Sequence, residues 1–218
     1  MTTPSHPSLV YLRQPVIEHI LPLFHVGLRA ASDRHQLAEG HGVDNFSYGT
    51  DAWSLPARLL RDAAEAKTIP FALTTERGCV LSLDGHRIRH HRVAWSERDD
   101  IADSFPGGAK SLVAEVEEHQ LSLPFGEEFA GIDAAVGGVV LAYMANPKTG
   151  FCAAYLAVVG RVDRGKIKEW AETTEIYARR QGPDASGPAA PSNVPPPEPI
   201  PTPLVHRKEK KASDAGST

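Results

Sequence analysis

Cysteine is scarce in this chain of 218 residues, which contains only Cys79 and Cys152. Both lie within apolar runs, so we expect buried thiols in a reducing compartment. A disulfide between them would need facing strands and an oxidising setting. Neither cysteine has a histidine beside it in the sequence, and apolar strands disfavour a thiolate. The sequence therefore offers no convincing cysteine nucleophile.

Patterns typical of membrane spans and of targeting segments are also missing. The most apolar stretch, 136–160, is divided by Asn146, Pro147 and Lys148. Each half is too short for a membrane helix, which needs about 20 residues, so we interpret the stretch as a buried β-hairpin. The stretch 1–16 lacks a basic segment followed by an apolar one. We therefore expect a soluble, cytoplasmic protein with no membrane contact.

Recognisable cofactor motifs are absent as well. The sequence GGAKS at 107–111 lacks the adjacent Gly-Lys pair and the earlier glycine that a phosphate-binding loop needs. Gly40 and Gly42 are followed by Asn45 where a dinucleotide fingerprint has its third glycine. We therefore expect no cofactor, and no motif identifies a catalytic residue.

The composition is that of an ordinary globular protein, with 41% hydrophobic and 23% charged residues. The length suits a single domain, which we predict over 1–180. The remaining 181–218 is rich in Pro, Ala, Ser and Gly and has almost no core-forming residues, which predicts a disordered tail. Its run PPPEPIPTP favours polyproline II, either as a stiff spacer or as a peptide-docking motif.

The spacing of apolar residues predicts three helical segments. The first covers 15–42, with a kink at Pro22. A loop at 43–51 follows, and Ser54 is expected to cap the second helix. The third helix is predicted over 107–123.

Short segments rich in β-forming residues predict the strands, over 70–75, 78–83, 87–95, the two halves of 136–160, and 166–180. Asp84-Gly85 is a strong signal for a two-residue hairpin turn, and Glu76 to Gly78 would make the turn before it. The last segment fits a helix or a strand, and we favour a strand because Asp163 to Lys166 resembles a hairpin turn.

Together these elements predict the α+β class. We expect a mixed or antiparallel sheet of about five to six strands with helices packed on one side. The loss of polar alternation in 136–160 further indicates central strands that are covered on both faces.

A dense run of histidines and arginines follows Asp84-Gly85. On a strand, the run separates into two faces. One face carries His86, Ile88, His90 and Arg92, and the other carries Arg87, Arg89, His91 and Val93. His86 and His90 are about 13 Å apart on a strand, and His90 and His91 face opposite sides, so this run alone cannot bind zinc. It could at most donate one histidine to a site completed elsewhere, and we predict no metal site.

Two interpretations of this run remain open. Charged side chains on a solvated edge strand discourage pairing between sheets. Alternatively, Arg87, Arg89 and His91 contact an anion or a nucleic acid, because arginine matches phosphate and carboxylate geometry. The net charge of −4 argues against a chain that coats nucleic acid by charge alone, so this contact is not favoured.

The sequence FSYGTDAW, at 46–53, is the second candidate site. In the predicted loop, Tyr48 and Trp53 could wall a ligand pocket, with Asp51 as its polar group. The alternative is a structured connector whose aromatic side chains fill the core.

The predicted order of helix, three strands, helix and strand over 56–145 is similar to the core layout of restriction-endonuclease-like nucleases. That layout would implicate Asp84, His86 and Glu65. The third strand has neither the acid nor the lysine that these nucleases place there, and a magnesium site without its second carboxylate would be weak.

No catalytic constellation is assembled, so the leading hypothesis is a non-catalytic binding or accessory protein that acts through protein–protein contacts. The contrast between the acidic block at 97–133 and the arginine-rich stretch at 77–98 indicates self-association or a charged partner. A metal-dependent nuclease with a degenerate site and a small-molecule-binding domain are the alternatives.

Overall fold

The computed structural model describes residues 4–38, 45–75, 79–96, 98–107, 109–122 and 138–179. The predicted tail at 181–218 and the predicted turn at Glu76 to Gly78 lie outside the described residues. Among the described helices, none combines the length and the apolar character that crossing a bilayer requires.

The helices form in two groups separated along the chain by the first three strands. Their bounds are α1 Pro7–Pro15, α2 Leu21–Ala38, α3 Asn45–Glu65 and α4 Lys110–Ser122. A π-helical stretch, Val16–Ile20, joins α1 to α2, so the predicted kink takes the form of a widened turn just before Pro22. α4 confirms the predicted third helix.

The described strands form one six-stranded sheet in the order β1-β2-β3-β4-β5-β6. Their bounds are β1 Ala72–Thr75, β2 Val80–Leu83, β3 His86–Ala94, β4 Val139–Asn146, β5 Gly150–Asp163 and β6 Lys166–Ala178. β3 and β4 pair in parallel, and the other neighbours pair antiparallel. The predicted α+β class with a mixed sheet is therefore confirmed.

Two of the three hairpin turns named from the sequence lie among the described residues, and both are present. Asp84 and Gly85 have positive φ angles of 47° and 85°, as a two-residue type I′ turn requires. Arg164 and Gly165, with φ angles of 49° and 71°, make the same kind of turn before β6. The strand interpretation of 166–180 is therefore confirmed, and so is the buried hairpin formed by β4 and β5.

The prediction of helices on one side of the sheet is wrong, because helices cover both faces. Val139, Leu141 and Tyr143 of β4 pack into the core formed with α1, α2 and α3. Val140 and Ala142 of the same strand pack against α4 on the opposite face. α4 follows β3 and precedes the parallel β4, so it is the crossover that a parallel pair needs, and it covers the second face.

The solvated edge predicted for the run at 86–93 is also wrong. β3 lies inside the sheet, between β2 and β4, and Arg89 and His90 are buried. The strand alternation itself is confirmed, since Ile88 packs toward α1 to α3 while Arg87 and Arg89 contact Glu115 of α4.

The loop predicted at 43–51 and the cap predicted at Ser54 are wrong, because 45–65 is one helix, α3. Burial of Tyr48 and Ala52 against the rest of the core outweighs the local turn signals. Pro56 lies inside this helix and packs closely against Gly27 of α2, where a side chain would not fit. The residues of the second candidate site therefore stand on a rigid helix.

Candidate binding site

His90 of β3 lies at the centre of the packing between the sheet and the α2–α3 pair. Its ring centroid lies 5.4 Å from that of Phe24, 6.0 Å from that of Trp53 and 6.2 Å from that of Tyr143. The residue is 3% exposed, and neither ring nitrogen has a hydrogen-bond partner among the described residues. Burial, with a smaller contribution from His91, lowers the pKa of His90 to about 3, so the ring is neutral near pH 7.

Two residues further along the same face of β3, Arg92 stacks on Trp95. The guanidinium carbon lies 3.8 Å from the indole centroid, which is a cation–π contact. The ring of Tyr48 lies 6.1 Å from that of Trp95, on the α3 side. Residues from α3 and from the end of β3 therefore meet in one cluster.

The structure separates the three predicted ligand residues of α3. Tyr48 is 1% exposed and points into the core, so it does not wall an open pocket. Asp51 pairs with Arg34 of α2 at 3.4 Å. Trp53 is 43% exposed and covers His90.

Large aromatic side chains remain exposed around this cluster. Phe46 is 81% exposed, Trp53 43% and Trp95 40%. Phe46 and Trp53 are seven residues apart on α3 and share one side of the helix. Gly49, between them, lies against the Arg92 side chain that stacks on Trp95. We call Phe46, Trp53 and Trp95 the aromatic surface.

The second group of predicted residues, Arg87, Arg89 and His91, lies on the opposite face of the sheet. Arg87 pairs with Glu115 at 3.3 Å, and Arg89 donates a short hydrogen bond to the same carboxylate. Burial, and then the charge of Arg89, lower the pKa of His91 to about 4. Since one carboxylate of α4 already binds both arginines, this face offers a weaker anion site than the sequence indicated.

The residues named by the nuclease alternative lie at the far end of β3. The Tyr11 hydroxyl donates a short hydrogen bond to Asp84, and the Tyr11 ring stacks on His86 at 4.7 Å. His86 Nδ1 lies 3.1 Å from the hydroxyl oxygen of Ser8. Glu65 ends α3, the helix over the sheet.

The part of the chain that the structure describes forms no metal-binding cluster and has a small cavity in its core. There, no three His, Cys, Asp or Glu side chains are grouped to hold a metal ion. A cavity of about 10 Å³ lies beside His90, lined mostly by apolar side chains such as Leu60 and Leu141. This volume suits about one water molecule.

The two cysteines do not form a disulfide, and both are buried as predicted. Burial raises the pKa of the Cys79 thiol to about 11, although Arg61 opposes this shift. Its sulfur lies 3.5 Å from the carbonyl oxygen of Ala57. Cys79 is therefore a packing residue of the α3–β2 contact.

Sequence reasoning missed that the two candidate stretches meet in one cluster. Arg92 belongs to the first stretch and Trp95 follows it, whereas Tyr48 and Trp53 belong to the second. Phe46 was present in the second stretch, but its exposure follows from the helical geometry of α3. The strand alternation, which places Arg92 on the His90 face, was the available signal.

Comparison with known proteins identifies no relative, since no protein-family model, no curated protein and no solved structure matches the chain. The fold defines a three-layer domain in which helices cover both faces of a mixed sheet. Its function is therefore argued from the site alone.

Proposed function

We propose that this chain is a non-catalytic binding protein that acts through protein–protein contacts, with the aromatic surface as its docking site. The observation that carries this proposal is the exposure of Phe46 and Trp53 on α3 and of Trp95 against Arg92, which has no carboxylate partner among the described residues. Aromatic residues and arginine are enriched at protein interfaces and dominate their binding energy.

The scaffold beneath the aromatic surface supports this proposal. Trp53 rests on the buried His90, and Trp95 stacks on Arg92 with the ring of Tyr48 nearby. Side chains that are already fixed lose little conformational entropy when a partner binds. Aromatic anchors on a rigid helix and strand therefore suit a preformed docking site.

The proposed occupant is a protein partner that presents apolar side chains. These apolar groups would cover Phe46 and Trp53. The crosslinking experiment below could instead show that two copies of this chain bind each other through the aromatic surface.

A catalytic function has less support from the site. The ring of His90 is neutral and buried, and the thiol of Cys79 has a raised pKa. Asp84 and His86 are engaged by α1. The small cavity gives the small-molecule alternative little room. Two buried cysteines without a disulfide support a reducing, cytoplasmic setting.

Site-specific photo-crosslinking in cells tests the proposed docking site. A benzophenone amino acid replaces Phe46 in one variant and Val10 in a control variant. Val10 is 55% exposed on α1, next to Tyr11, which binds Asp84 at the opposite end of β3. We expect one protein to crosslink at position 46, to be identified by mass spectrometry, and not to crosslink at position 10.

The outcomes separate the alternatives. A crosslink to a second copy of the chain would show that the aromatic surface mediates self-association and would contradict a different protein as its partner. Equal crosslinking at both positions, or none at position 46, would contradict a docking site on the aromatic surface.

A further inference from the structure

Arg92 is held in place without a charged partner. Trp95 covers one side of its guanidinium at 3.8 Å. The α3 backbone lies close by, since a Cβ atom added at Gly49 would be 3.2 Å from Nη2 of Arg92. A small residue in the middle of α3 therefore leaves the room that the guanidinium occupies.

Arg92 forms no ion pair among the described residues, whereas other arginines do. Arg34 pairs with Asp51 at 3.4 Å, and Arg87 pairs with Glu115 at 3.3 Å. Nη1 of Arg92 is buried and has no hydrogen-bond partner among the described residues. A guanidinium matches a carboxylate in charge and geometry, so the unpaired guanidinium of Arg92 indicates a carboxylate as its missing partner.

We propose that Arg92 recognises a carboxylate that the protein partner places beside Trp95. This inference rests on the proposed docking function and names the chemistry that the partner must supply. One guanidinium matches a singly charged carboxylate, and the chain's net charge of −4 disfavours more highly charged anions. The carboxylate comes from an Asp or Glu side chain or from a chain terminus.

Small carboxylates can test this recognition without the partner. The full chain, labelled with ¹⁵N, is titrated with N-acetyl-glutamate methylamide for a side-chain carboxylate and with N-acetylglycine for a terminal one. N-acetyl-glutamine methylamide is the neutral control. We expect saturable NMR shifts at the Trp95 indole and the Arg92 Nε–H with the carboxylates only, and the better binder identifies the source.

The Trp170 indole is an internal control, because its N–H already donates to the carbonyl oxygens of Ile101 and Ser104 at 3.1 Å. Its signal is expected to stay constant. Arg92→Gln should weaken carboxylate binding by about tenfold, and Arg92→Lys should restore only part of it. Gly49→Ala, which displaces the guanidinium within an intact helix, should weaken binding even where Arg92→Gln does not fold.

Carboxylate recognition at Arg92 would be overturned by the absence of saturable shifts at Trp95 in the wild-type chain. Equal shifts with the neutral control, or unchanged binding in Gly49→Ala and Arg92→Gln, would overturn it too. These results would leave the crosslinking at Phe46 unaffected, since that experiment needs no anion. Failure of this inference is therefore distinguishable from failure of the docking site.

Discussion

The guanidinium of Arg92 lies over the indole of Trp95, with 3.8 Å between its central carbon and the ring centroid. Along β3, pairing with β2 ends at Ile88, and Arg92 lies in the following part, which pairs with β4. The contact fixes a cation beside an exposed aromatic ring and supplies no carboxylate. The proposed binding site depends on this relationship.

Substituting the two tyrosines of the cluster should have opposite effects on stability. Tyr48→Phe removes a buried hydroxyl without a described partner, so the free energy of unfolding should stay constant or rise by up to about 1 kcal/mol. Tyr143→Phe leaves the carbonyl of Ala52 unpaired and should lower it by about 1 kcal/mol. Urea unfolding measures both values, and a clear loss in Tyr48→Phe would show that its hydroxyl is already paired.

Stability should fall as the pH falls below about 6.5, because that is the pKa of histidine in an unfolded chain. In the folded chain the pKa of His90 is about 3 and that of His91 about 4. Between these values the unfolded state binds more protons, so each histidine costs up to about 1.4 kcal/mol per pH unit.

The variant His90→Phe isolates the contribution of His90 to this pH dependence. The loss of stability between pH 6.5 and pH 4 should be smaller in this variant than in the wild-type chain, as measured by urea unfolding at each pH. Parallel curves for the two proteins would contradict the burial of a neutral imidazole at this position.

The contact between α2 and α3 predicts a strong effect at Gly27. A Cβ atom there would lie 2.8 Å from the backbone nitrogen of Pro56. Gly27→Ala should therefore lower the free energy of unfolding by about 1–3 kcal/mol, although alanine favours a helix. Gly49→Ala is the matched control, because its nearest neighbour is the end of the Arg92 side chain and not the backbone of another helix, and it should retain wild-type stability. Equal stability of the two variants would argue against close packing of these helices.

The ion pair between Arg89 and Glu115 should matter more than a surface pair. Arg89 is buried, so Glu115→Gln leaves its charge without a carboxylate and should cost about 2–3 kcal/mol. The exposed pair of Arg161 and Glu169, with 3.9 Å between charged atoms, provides the control. Glu169→Gln should change the unfolding free energy by less than about 0.5 kcal/mol, and a similar loss in both variants would contradict the burial of Arg89.

Much of the sheet could be predicted from local signals. The turns at Asp84-Gly85 and at Arg164-Gly165 need positive φ angles, and each contains a glycine, which adopts such angles readily. The apolar hairpin at 136–160 was recognised because both of its faces are buried. Signals of this kind act within a few residues, so the sequence alone is sufficient to reveal them.

The helix α3 and the position of β3 could not be predicted in the same way. Gly49 and Pro56 are turn-favouring residues, yet both lie inside α3. There Gly49 lies against the Arg92 side chain, and Pro56 packs against Gly27 of α2. The parallel pairing of β3 with β4 joins strands that are far apart in sequence. Such contacts depend on tertiary packing, which local propensity does not encode.

The candidate site shows the same division between local and distant signals. Alternation on a strand places His90 and Arg92 on one face, and the structure confirms this, since both lie against α3. The packing of Trp53 on His90 and of Tyr48 on Trp95 joins two segments that are separated along the chain by β1 and β2. No sequence spacing predicts which helix covers which strand.

The most direct test of the docking site is the dissociation constant of the partner crosslinked at Phe46, measured with purified proteins. Phe46→Ala and Trp53→Ala should each raise the dissociation constant by about tenfold, while Val10→Ala should leave it unchanged. Equal affinity for all four proteins, the wild type included, would contradict the assignment of the aromatic surface as the binding site.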